Sequence, residues 1–133
     1  NMYVPFVSVL QNLGQVEAAN RLREREIRVL QQQLELVPED VRARILLAGD
    51  YACQRRHGDA IRELEKAVAL RPNDPNILYN AACAYGVMNR KAEALTLLKK
   101  VKEVGFGNQD WIARDPDLAC LHGDPEFQRL VEE

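Results

Sequence analysis

The sequence predicts an all-α fold of stacked helical hairpins, and three observations carry that expectation. Core positions recur at one interval: Leu47, Ala48, Tyr51, Ala60, Leu64 and Ala67 are answered 34 residues later by Ala81, Ala82, Tyr85, Ala94, Leu98 and Val101. Self-similarity at such a period marks an array in which each unit buries its apolar face against its neighbours. Apolar residues elsewhere fall in helical stripes, with Pro and Gly between the stripes rather than inside them. Aromatic residues make up only 6% of the chain while small Ala is abundant, which suits close helix packing better than a β-sandwich. The expected architecture is a right-handed helical-hairpin solenoid of about seven helices, closed by a C-terminal helical cap.

Residues 1–39 read as a divergent first unit. Tyr3, Phe6, Val7 and Leu10 lead to a turn at Gly14, and a long second helix runs to Val37 before Pro38. That helix carries two apolar rows, Leu22, Val29 and Leu36 on one side and Ile27, Leu30, Leu34 and Val37 on another. It is either an overlong capping helix or a seam through which residues 15–37 pair two copies of the chain. Two heptads fall short of the three or four that mark a coiled coil.

Residues 40–74 form the first regular unit. Ile45, Leu47, Ala48, Tyr51 and Ala52 lie at helical spacing, Gly58-Asp59 breaks the pattern, and Ala60, Ile61, Leu64, Ala67, Val68 and Leu70 form the next stripe. Pro72 ends it, and Asp74-Pro75 supplies an N-cap and a first helical residue for the next unit. Residues 75–104 repeat the plan, with a turn at Asn89-Arg90. Paired helices approach closely where facing side chains are small, as Ala48 with Ala60 and Ala82 with Ala94 allow, while Tyr51 and Tyr85 fill the wider space between pairs.

Residues 105–133 do not repeat. Gly105-Phe106-Gly107 stops the last repeat helix, and Asp115-Pro116-Asp117-Leu118 and Asp124-Pro125-Glu126-Phe127 each read as N-cap, Pro, acid and apolar anchor. Trp111, Leu118, Leu121, Phe127 and Leu130 are expected to cover the exposed end of the array.

Composition narrows the function. The net charge is −2 from 18 basic and 20 acidic residues, so no strong field favours nucleic acid or anionic lipid. No run of about 18 apolar residues exists to cross a membrane. Met2–Leu10 lacks a basic leader and opens inside a helical pattern, as in a segment cut from a longer chain. Cys53, Cys83 and Cys120 are odd in number and widely spaced, which points to a reducing, cytoplasmic setting. His57 and His122 lack the second ligand pair that zinc requires, and no Gly-rich phosphate loop follows a strand. Neither a metal, a cofactor nor catalysis is expected.

At these residues the chain resembles the tetratricopeptide repeat (TPR) family, a 34-residue helix–turn–helix with small, Tyr and Pro residues at fixed offsets. Leu47-Ala48, Tyr51, Ala60, Leu64, Ala67 and Pro72 fall in the family register, as do Leu78-Tyr79-Asn80-Ala81-Ala82, Tyr85, Ala94 and Leu98. The run from Tyr79 through Gly105-Phe106, Trp111 and both Asp-Pro turns resembles the C-terminal TPR region of bacterial signalling proteins with serine/threonine kinase, nucleotide cyclase or TolB-like domains. The resemblance implies a protein-interaction scaffold that binds a peptide or protein segment in a concave groove. Arg42, Ile45, Gly49, Ala52 and Cys53 would line it from one unit and Asn76, Tyr79, Cys83, Gly86 and Val87 from the next, with Tyr3, Val4 and Val7 from the first. Tyr79 is expected to be an exposed aromatic anchor there, surrounded by Ile45, Arg42 and Asn76. The alternative is a structural, regulatory or self-association module of a larger signalling protein.

Overall fold

The structure, a computed structural model, describes residues 16–105 and 109–132. Among them lie seven α-helices and one 3₁₀ turn: α1 (Val16–Leu36), α2 (Val41–Cys53), α3 (His57–Leu70), α4 (Pro75–Val87), α5 (Lys91–Val104), α6 (Gln109–Arg114), η1 (Pro116–Leu121) and α7 (Pro125–Glu132). No described residue is in a strand. The expected turn at Gly14 and the groove positions Tyr3, Val4 and Val7 lie outside the described residues.

Several boundaries have a local cause. Asp40 caps α2 by accepting from Ala43 N at 3.0 Å, and Asp74 caps α4 by accepting from Asn76 N at 2.9 Å. The Asp-Pro turns behave as expected: Asp115 accepts from Asp117 N at 2.9 Å, and Asp124 accepts from Glu126 N at 2.8 Å. Gly105 ends α5 at φ +97°, where a residue with Cβ would be strained.

One boundary differs from the sequence expectation. The first hairpin turns at Arg55, which takes φ 61°, so α3 begins at His57 and Gly58 lies inside its first turn. The second hairpin turns at Asn89, φ 62°, 34 residues later. Both turns close with the same bond, Arg56 N to Tyr51 O at 2.8 Å and Arg90 N to Tyr85 O at 2.9 Å. The ion pairs Arg56–Asp59 and Arg90–Glu93 repeat at that offset too. The period therefore extends from the side chains to the backbone.

The hairpins α2/α3 and α4/α5 are the most extensively packed pairs, with α1 on α2, α2 on α4, and η1 on α4. Ala48, Ala60, Ala82 and Ala94 are fully buried at the close approaches. Helix α4 is the centre: every residue from Ile77 to Gly86 is buried, as befits a helix that is apolar all round.

Helix α1 docks on α2 through Ile27 and Leu30, with Leu34 half-buried beside them. Gln31 Nε2 donates to Tyr51 Oη at 2.9 Å. The same seam holds a loose buried ion pair: Arg23 and Asp50 are 3.5 Å apart, with side chains 9% and 8% exposed. Arg23 Nε and Asp50 Oδ2 lack a hydrogen-bond partner. Burial, reinforced by the Glu26 carboxylate, raises Asp50 from 3.8 to about 7 against the opposing pull of Arg23.

Two outcomes are expected. Ala94→Leu overpacks the α4/α5 contact and lowers stability by about 1–3 kcal/mol, read as a lower denaturant midpoint. Between about pH 4 and pH 7 the folded chain keeps the Asp50 proton that the unfolded chain has lost, so this group makes stability fall as pH rises through that window. Asp50→Asn should flatten that slope and raise the melting temperature at pH 8, measured by thermal denaturation across pH.

Candidate functional site

The eight residues expected to line the concave groove divide sharply. Tyr79, Cys83 and Gly86, spaced 79, 83 and 86 along α4, do share one face of that helix, but they are buried there. Tyr79 is only 2% exposed, which overturns its reading as an exposed anchor. Ile45, Gly49 and Ala52 of α2 are also buried. Only Arg42 and Asn76, in the first turns of α2 and α4, are exposed.

The cause is that the chain covers this face of α4 with its own tail. Tyr79 Oη and Cys83 Sγ both donate to Asp115 Oδ2, the thiol at 3.6 Å. Asp115 is fully buried, its Oδ1 accepts from Asp117 N, and its backbone carbonyl lies 3.1 Å from His122 Nε2. Next to it, Leu118 and Leu121 are fully buried. Cys120 Sγ donates to Gly86 O at 3.3 Å. His122 stacks on Phe127 with ring centroids 5.9 Å apart.

Gly86 is what lets the turn come this close. A Cβ built there would stand 2.5 Å from Asp117 O and 3.1 Å from Leu118 Cδ2. The glycine thus serves close approach, as its place inside a helix implies, and the approaching backbone belongs to η1.

Cys83, Asp115 and Asp117 form a buried trio whose ligand atoms lie within 4.8 Å of one another. Sequence spacing could not reveal it, because Asp115 and Asp117 come from the tail. Its hydrogen bonds give Asp115 a structural duty at both carboxylate oxygens. Burial, then Asp115 and Asp117, pushes the Cys83 thiol well above its usual range; burial also raises Cys53 and Cys120. All three thiols are therefore protonated at neutral pH, whereas the thiolate is the nucleophile and metal ligand.

Two other surfaces stand out. A cleft of about 520 Å³ runs between α3 and α5, with Leu64, Val68, Tyr85 and Leu97 in its wall beside Glu65 and Glu93. On α1, the row Leu22, Val29 and Leu36 faces away from the core and is 57%, 62% and 80% exposed. The two apolar rows read from the sequence thus part company: Ile27 and Leu30 go inward with Leu34 half-buried, Val37 at the end of that row is exposed beyond the helix, and this one stays outside. No described helix is long and apolar enough to cross a membrane.

Gly86→Ala should lower stability by about 1–3 kcal/mol, the overpacking cost outweighing the helix-propensity gain of about 1 kcal/mol. Thermal denaturation, with increased binding of an apolar dye as η1 lifts, checks it.

Comparison with protein-family models gives no match for this chain, and comparison with curated proteins gives none either.

Proposed function

We propose that this chain is a TPR-type protein-interaction module without catalysis of its own, and that its working surface is the outer face of α1 rather than the α4 groove. The observation that carries this reading is the occupancy of that groove by residues 115–121, which leaves Leu22, Val29 and Leu36 as the most exposed row of large apolar side chains among the described residues. A peptide entering the groove at Tyr79 would have to displace a fully buried carboxylate and two fully buried leucines. Exposed apolar rows rimmed by polar residues mark interaction sites.

The absence of catalysis is supported by the three protonated thiols and by the structural bonds of Asp115. The TPR type rests on the 34-residue recurrence of core positions, turns and ion pairs. Placement in a larger bacterial signalling protein follows from the resemblance of the sequence alone.

The test is capture of protein partners from a cell lysate. Val29→Glu should reduce capture by at least about tenfold, equivalent to about 1.4 kcal/mol, with an unchanged melting temperature. Arg42→Ala and Asn76→Ala should leave capture intact. The reverse pattern would return the interface to the concave side.

A further inference from the structure

Resting on that reading of α1, we propose that its partner is a second copy of this chain, with the two α1 helices antiparallel and Val29 on the two-fold axis. Leu22, Val29 and Leu36 are spaced by seven residues. They therefore form a nearly straight row about 21 Å long at about 1.5 Å rise per residue. A repeat of seven is the spacing with which one helix faces another.

Charge sets the direction. Leu22 lies between the exposed Arg21 and Arg25, while Leu36 lies between the exposed Glu35 and Glu39. Glu26, one turn on from Leu22, is exposed but close enough to Asp50 of the α2 seam to raise its carboxyl, so it sits toward that side of the helix. An antiparallel pair seats Leu22 of one copy beside Leu36 of the other and brings the basic end of each row to the acidic end of its mate. A parallel pair would set Arg21, Arg25 and Glu35 each against its own copy, and like charges facing one another are unfavourable. The two-fold arrangement is self-complementary, as an isologous contact must be.

The pair is weak. Three large side chains on each copy fall short of the roughly 800 Å² per partner of a standard interface, and Arg28 next to Val29 approaches its own mate at the axis. Self-association therefore depends on concentration in the accessible range.

Cysteine cross-linking tests the geometry. The background carries Cys53→Ser and Cys120→Ser and keeps the buried Cys83. In it, Val29→Cys should form a covalent dimer at least about tenfold faster than Asn73→Cys, because a held pair reacts at raised effective concentration. Leu22→Cys mixed with Leu36→Cys should cross-link, while each alone should not. Sedimentation should give a concentration-dependent dimer that Leu36→Glu abolishes with the helical circular dichroism spectrum unchanged. Cross-linking of Leu22→Cys to itself would overturn the antiparallel pairing. A chain that stays monomeric at its highest soluble concentration, while Val29→Glu still loses a captured partner, would overturn the second copy and leave the α1 interface standing.

Discussion

The buried carboxylate of Asp115 is the contact on which the C-terminal half depends. It satisfies Tyr79 and Cys83 of α4 at one oxygen and caps η1 with the other. A buried acceptor of this kind is demanding, because deleting it strands every donor that points at it in a low-dielectric interior. With Asp115 in place, Leu118 and Leu121 are seated and Gly86 is covered. Phe127 then brings α7 down, and Lys102 Nζ donates to Leu130 O at 3.2 Å while Lys99 pairs with Glu126 at 3.1 Å. One side chain thus fastens η1 to α4.

The rest of the core is organised by size rather than polarity. Fully buried alanines let the helices of each hairpin touch, and the tyrosines span the gaps between hairpins. Tyr51 is held from both sides, by Gln31 at its hydroxyl and by the Arg56 guanidinium 4.4 Å above its ring. Against this apolar order the Arg23–Asp50 pair is an exception, because it is buried without the full set of hydrogen bonds that makes such pairs favourable. Burial in that seam raises the Asp50 carboxyl to about 7.

The helices were legible in the sequence because their signals are local. Asp74-Pro75, Asp115-Pro116 and Asp124-Pro125 each cap where they stand, and the 34-residue register located the buried alanines. The first hairpin turn was misplaced because Gly58 is the obvious breaker, while the left-handed residue is Arg55, a type with no preference for that conformation. The candidate groove was misread for a different reason. Register fixed which face of α4 holds Tyr79, Cys83 and Gly86, but exposure depends on what packs there, and Asp115 lies 36 residues from Tyr79. The Asp-Pro turn announced a cap without announcing what it would cover. Conversely, Leu22, Val29 and Leu36 looked like one of two equivalent rows, and only the docking of α1 on α2 separates the inner from the outer.

The distance between α4 and its cover has a consequence for how the chain is made. Contacts within each hairpin span fewer than 34 residues and form early, since short loops close at the lowest entropic cost. The face of α4 bearing Tyr79, Cys83 and Gly86 has to wait for η1 to emerge from the ribosome. At roughly 5–20 residues per second, the translation delay alone is on the order of seconds, far longer than hairpin formation. During that interval the nascent chain presents a bare surface of small and aromatic side chains. The arrival of η1 closes it.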